Sequence, residues 1–175
     1  MTRWHFGVAV LALGLGTGAV AQHGAEERDM ALVGYSDLQA RSVYQPTIHR
    51  QGDRYIAYIG HHGGRMPNPQ TGQIEPNGTS VVDVTNPKSP RYLTHIPGEA
   101  GAGEQGGAQM ARVCNGSTLP RADRSKVYLL RSFGTSGHEV WDVTTPEKPA
   151  KVTTVETFAG FSGVVTSHTS WPELP

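Results

Sequence analysis

The chain has 175 residues, with 15 Lys and Arg against 15 Asp and Glu, 22 glycines, 12 prolines and a single cysteine. The charge balance excludes a nucleic-acid or anionic-membrane partner recruited by net charge. One cysteine excludes an internal disulfide, so stability has to come from packing.

In chain order, residues 1–21 come first. They carry one basic residue, Arg3, then an apolar run, and end in Ala19-Val20-Ala21. That is the layout of a secretory signal peptide. The run is broken by glycine and falls short of the ~20 apolar residues of a spanning helix. The expectation is cleavage before Gln22 and a secreted or periplasmic protein, with no stable membrane span afterwards. "QHGAEERDM" (22–30) reads as a polar leader. The repeat region is expected over 31–175.

That region is a series of short runs rich in Val, Tyr, Thr and Ile, bounded by Gly, Pro, Asn and Asp. Such runs predict strands. They are "ALVGYSDL" (31–38), "QPTIH" (45–49), "RYIAYIG" (54–60), "TSVVDVT" (79–85), "RYLTHI" (91–96), "AQMARV" (108–113), "KVYLLRS" (126–132), "HEVWDVT" (138–144) and "AKVTTV" (150–155). The stretches "HHGGRMPNPQTGQIEPNG" (61–78) and "GEAGAGEQGG" (98–107) read as loops. No segment after residue 30 has a helical period, and the fold class is all-β.

A repeat organises the runs. Aligning Asp83 with Asp142, 59 residues apart, lays Val81-Val82 over Val140-Trp141 and matches Pro87 and Pro90 with Pro146 and Pro149. The runs on either side match as well, so each unit is four strands in sequence. A four-stranded antiparallel meander repeated in tandem is the blade of a β-propeller. Proline fixes φ and donates no ladder hydrogen bond, so it ends the third strand of each unit. The aspartate side chain is suited to accept backbone N–H bonds at that turn. Asp83 and Asp142 are therefore expected to be structural, not catalytic.

"VVDVTNPKSP" and "VWDVTTPEKP" resemble the repeat of the LVIVD-repeat family of secreted bacterial β-propeller proteins. The resemblance covers 31 to about 157 and implies blades arranged around an axis. It does not imply a common activity. Two units are clear, and "FAGFSGVVTSHTSWPELP" (158–175) reads as the start of a third. Closing a ring takes about four or more blades. The expectation is thus about two blades plus flanking strands, an unclosed ring, and a truncated portion of a longer propeller.

Histidine supplies the candidate chemistry. If the first strand of each blade lines a channel, His49 in "QPTIH" and His168 in "VVTSHTSW" face it. Converging imidazoles bind divalent transition metals such as zinc or copper. The middle unit has no histidine there. His61 and His62 are further candidates, although neighbours on a regular strand point to opposite faces. No other cofactor is expected. "GAGEQG" (101–106) has dinucleotide-site spacing without the helix that such a site needs. No G-x-S-x-G elbow is present. The Asn-Gly pairs at Asn77 and Asn115 read as hairpin turns.

The functional expectation is an exported binding or interaction scaffold for a protein or small ligand, without a catalytic residue set. The alternative is a metal-dependent propeller enzyme using the histidines. A third reading is a remnant whose unpaired strand edges favour self-association.

Overall fold

Short β-branched and aromatic runs, too brief to bury much area singly, become stable when several pair and cover one another. That is the arrangement in the computed structural model, which describes residues 31–156. The fold is all-β. Eleven strands are present among the described residues: β1 (Tyr44–Gln51), β2 (Arg54–Gly63), β3 (Arg65–Pro67), β4 (Ile74–Pro76), β5 (Gly78–Asp83), β6 (Arg91–Pro97), β7 (Gly103–Ala108), β8 (Ala111–Asn115), β9 (Val127–Phe133), β10 (Gly137–Asp142) and β11 (Ala150–Glu156). Residues 1–30 and 157–175, and with them the expected signal peptide, the leader and His168, lie outside the described residues.

Two antiparallel meanders dominate. One runs β1-β2-β5-β6 and the other β8-β9-β10-β11, each in sequence order. Their registers coincide at equivalent positions. Ile56 faces Asp83 as Tyr128 faces Asp142, and Asp83 faces Arg91 as Asp142 faces Ala150. Each meander also has a register shift at the same place, between Val81 and Val82 and between Val140 and Trp141. These shifts leave Leu93 and Val152 as the extra residues.

Directly paired residues share a face. One face of the first sheet carries Ile56, Tyr58 and Val81, and the other carries Ala57, Ile59 and Val82. We call these front and back. The equivalent front face of the second sheet carries Tyr128, Leu130 and Val140, and its back carries Leu129 and Trp141. The main core joins Ile56, Tyr58, Val81, Leu93 and Ile96 with Ala111, Leu129 and Val143; Val113, Val127 and Trp141 pack against it. The front of the first sheet therefore lies on the back of the second. At roughly 1.5–3 kcal/mol for each large apolar side chain buried, this contact is the main source of cohesion. Hydrogen bonds fix its register: Thr47 Oγ1 donates to the Ala111 carbonyl at 2.8 Å and Gln51 Nε2 to the Val143 carbonyl at 2.9 Å.

A smaller core on the back of the first sheet joins Ala57, Ile59 and Val82 to Leu38. Here the expected strand at 31–38 is replaced by irregular chain and a 3-10 turn, Leu38–Ala40. Leu38, Gln39 and Ala40 all have positive φ, at 49°, 57° and 57°. Left-handed backbone costs a non-glycine residue roughly 1–2 kcal/mol, so tertiary contact has overridden local preference. The two expected loops also carry strands. Residues 61–78 contain the β3–β4 hairpin, and the glycine-rich 98–107 contains most of β7, which pairs with the end of β2. Gly107 has φ +79°, and a Cβ there would stand 2.3 Å from the His61 carbonyl oxygen, so only glycine fits. Among the described residues no helix is long and apolar enough to cross a membrane.

Candidate functional site

The polar side chains gather where β2 and β5 run out of apolar residues. The pattern of β2 changes after Ile59 to Gly60, His61, His62 and Gly63. His61 continues the back face and is fully buried. Its Nδ1 lies 2.6 Å from the Ser42 carbonyl oxygen, and its Nε2 lies 2.8 Å from Ser80 Oγ. The ring thus donates to Ser42 from Nδ1 and accepts from the Ser80 hydroxyl. Burial lowers its pKa to about 4, against a partial rise from the Ser42 bond, so it is neutral at pH 7.

His95 on β6 lies beside it, the ring centroids 6.1 Å apart. His95 Nδ1 donates to Glu75 Oε1 at 2.6 Å, and Asn68 Nδ2 donates to the same oxygen at 2.9 Å. Glu75 comes from β4, so the hairpin that the sequence reads as a loop delivers this carboxylate. Burial, then the charges of Arg41, His61 and Arg131, hold the His95 pKa far below the ordinary imidazole value. Among the described residues its Nε2, like Tyr92 Oη and Arg41 Nε, is buried and meets no hydrogen-bond partner.

Arg41 closes the cluster from the segment before β1. Its Nη1 donates to Asn77 Oδ1 at 2.6 Å, and its Nη2 donates to the Met66 carbonyl at 3.2 Å and lies 3.8 Å from Glu75 Oε1. Asn77 Nδ2 donates to the His62 carbonyl. Asn77 is therefore a buried crosslink, and the hairpin turn expected from Asn-Gly does not form there.

A second cluster lies at the joint between the sheets. Arg131 on β9 is fully buried. It donates from Nε and Nη2 to Glu139 Oε2 at 3.1 and 2.7 Å, and from Nη1 and Nη2 to the carbonyls of Ile96 and Pro97 at 2.8 and 2.6 Å. Trp141 Nε1 donates to the same Glu139 oxygen at 2.9 Å, and the guanidinium stands 5.1 Å from the Trp141 ring centroid. Burial tends to raise the Glu139 pKa, but Arg131 and Trp141 outweigh it and hold it low. Each of the two buried arginines has an acidic side chain beside it, Glu75 near Arg41 and Glu139 on Arg131.

Among the described residues the sequence-predicted histidines do not converge: His49 is on β1, and His61 and His62 are on β2. His49 Nε2 lies 3.1 Å from Asn115 Oδ1, across the joint between β1 and β8. His62 Nδ1 lies 3.1 Å from Glu104 Oε1, with its ring edge-on to Tyr44. His61 has both ring nitrogens engaged. Among the described residues no three His, Cys, Asp or Glu side chains are grouped to hold a metal ion. Asp83 Oδ1 accepts from the Thr85 N–H at 3.0 Å, and Asp142 Oδ1 from the Thr144 N–H at 3.0 Å. The remaining oxygens meet cations at the start of the second strand of each unit: Arg54 for Asp83 and Lys126 for Asp142. Pro87 and Pro146 occupy the second position of turns closed by Ser89 N–H to the Asn86 carbonyl and Lys148 N–H to the Thr145 carbonyl. Pro90 and Pro149 immediately precede β6 and β11.

The His95–Glu75 pair has the form of an oriented general base. It is walled in, because the His95 side chain is fully buried. What the cluster does in this arrangement is fasten the 38–42 segment and the β3–β4 hairpin to the sheet. Arg41, Glu75, Arg131 and Glu139 carry no motif spacing; only Arg131 and Glu139 are hinted at, as charges inside expected strands. No family model, curated protein or solved structure matches the chain.

Proposed function

We propose that the chain is an exported repeat protein of the β-propeller type, similar in its Asp-Val-Thr-x-Pro turns to the LVIVD-repeat proteins, and that it serves as a binding scaffold at the cell envelope. The observation that carries this reading is the recurrence of one structural unit. Two meanders share a register, a bulge position, an aspartate-capped turn and a cation on that aspartate, and they stack front to back. Stacked four-stranded meanders are how propeller blades bury their faces. Among the described residues His49 stands apart from His61 and His62, which supports a scaffold over a metal enzyme, since a catalytic zinc normally takes three protein ligands.

The test is expression of the full chain with its own leader, followed by fractionation, intact mass and metal analysis. The reading expects a mature chain beginning at Gln22 in the exported fraction, without stoichiometric metal. A cytoplasmic chain that retains Met1 contradicts export. Stoichiometric zinc or copper that is lost in His49→Ala contradicts the scaffold reading.

A further inference from the structure

Residues 33–42 cross the back of the first sheet without pairing as a strand. Gly34 lies against the Pro87 carbonyl, just beyond the end of β5. Leu38 sits on Ala57, Ile59 and Val82 of the central strands. Arg41 reaches Asn77, just before β5 begins, and the Ser42 carbonyl accepts from His61. We refer to this stretch as the strap. Of its residues only Leu38 and Arg41 are buried, while Val33 and Tyr35 are 54% and 75% exposed.

Two kinds of cost gather at this contact. The first is strain. Leu38, Gln39 and Ala40 follow one another at φ 49°, 57° and 57°, whereas residues with side chains visit this region singly and not in runs. The second is unmet polarity. Among the described residues the buried side-chain atoms without a hydrogen-bond partner are Gln39 Oε1, Arg41 Nε, Tyr92 Oη and His95 Nε2. Gln39 and Arg41 belong to the strap. Tyr92 and His95 pair with Val82 and Ser80, so both stand on the back face of β6, and both feel the charge of Arg41. Each of these atoms has given up water without a replacement bond. None of them belongs to the joint between the two sheets.

We propose that the strap is a releasable latch, which lifts off the back of the first sheet as a unit while the two sheets stay folded, uncovering Ala57, Ile59 and Val82 and freeing His61 from Ser42. Two anchors hold it closed. One is the Leu38 side chain, and the other is the Arg41 guanidinium with its bonds to Asn77 Oδ1 and the Met66 carbonyl. Release relaxes the left-handed turn and returns Gln39 and Arg41 to water, so the closed state is favoured by little. Openings short of global unfolding fall to elements with few buried contacts. The core that joins the two sheets contains no strap residue, so it survives the opening. This inference stands on the contacts of residues 33–42 and is independent of export, of ring closure and of the scaffold reading.

The experiment is native-state hydrogen exchange on the full chain, followed by NMR in urea concentrations below the unfolding transition. The reporters are the Ala40 and Arg41 amides, which donate to the Asp37 and Leu38 carbonyls at 2.9 and 3.2 Å. Amides of β2 and β9 serve as the comparison. The reporters are expected to be protected, yet to exchange on the order of a hundredfold faster than the comparison amides. Their urea slope is smaller, because less surface opens. Ala40→Gly relieves one left-handed residue at an exposed position and slows the Arg41 amide roughly threefold. Leu38→Ala removes the apolar anchor and speeds the reporters about thirtyfold or more, while β2 and β9 stay protected. Reporters that share the rate and urea slope of β2 and β9 overturn the proposal, because the strap then opens only with the whole fold. Reporters that exchange like an unstructured peptide in the wild type also overturn it, because nothing is then latched. Reporters unmoved by Leu38→Ala overturn it as well, because Leu38 then anchors nothing.

Discussion

Asp83 and Asp142 show how much one side chain does in this fold. Each accepts the N–H two residues on, and each holds a cation from the neighbouring strand. Replacing Asp142 by alanine removes bonds from the Thr144 N–H, the Thr144 hydroxyl and Lys126. It is expected to cost about 1–2 kcal/mol in urea unfolding. Acid sensitivity has an upper contribution from the buried histidines and a lower one from Asp83. Burial lowers the His61 pKa from 6.5 to about 4, so below about pH 6.5 the unfolded chain binds a proton that the folded chain refuses. Stability then falls as the pH drops from 6.5 towards 4, by on the order of 3 kcal/mol for this one group. Urea midpoints taken between these values should decline in the wild type and decline less in His61→Gln. Asp83 acts lower down. Burial opposes its charge, but the bonds from Thr85, Arg91 and Arg54 bring its pKa to about 2. Its contribution is complete above the unfolded value near 4 and is lost as the pH falls through 2. Asp83→Asn should flatten only that lower limb.

The strands themselves were legible because their signal is local. Val, Ile and Tyr alternate over a few residues, and proline and glycine mark the ends, so all eight strands of the two meanders match runs visible in the sequence. The β3–β4 hairpin and β7 were not legible, because their signal is a partner elsewhere in the chain. β7 is Gly103–Ala108, whose glycines offer no side-chain pattern; of them Gly107 is required by the approach of the β2 backbone and Gly106 by that of Gly101. The site was less legible still. His61 and His62 drew attention as paired imidazoles, but of the residues that complete the polar cluster Glu75 stands in a stretch that reads as loop and Arg41 between two expected strands. Arg131 sits in an apolar run as its one charge, and burial shows it to be the tie between the sheets. Arg131→Ala removes the closest cation from the buried Glu139 and leaves it only Trp141 Nε1 and, at 3.5 Å, Lys151, so it should destabilise by about 3–5 kcal/mol. The double variant Arg131→Met with Glu139→Leu should regain much of that loss. Thermal unfolding of the single and the double variants checks both statements.

For the whole molecule, what matters is that the repeats are related by stacking and not by simple juxtaposition. The polar contacts at the joint all run from the front of one sheet to the back of the next: Thr47 to Ala111, Gln51 to Val143, Arg54 to Glu147. Shared burial of Ile56, Ile96, Leu129 and Val143 then makes the two meanders one cooperative unit. That coupling predicts a single unfolding transition, seen equally by Trp141 fluorescence and far-UV circular dichroism, in place of two. The most direct test is methyl nuclear Overhauser spectroscopy on isoleucine-, leucine- and valine-labelled protein held dilute. The account predicts cross-peaks linking Ile56 and Ile96 of the first sheet with Leu129 and Val143 of the second. Sharp methyl signals with cross-peaks confined within each sheet would contradict it, because the two units would then fold without sharing a core.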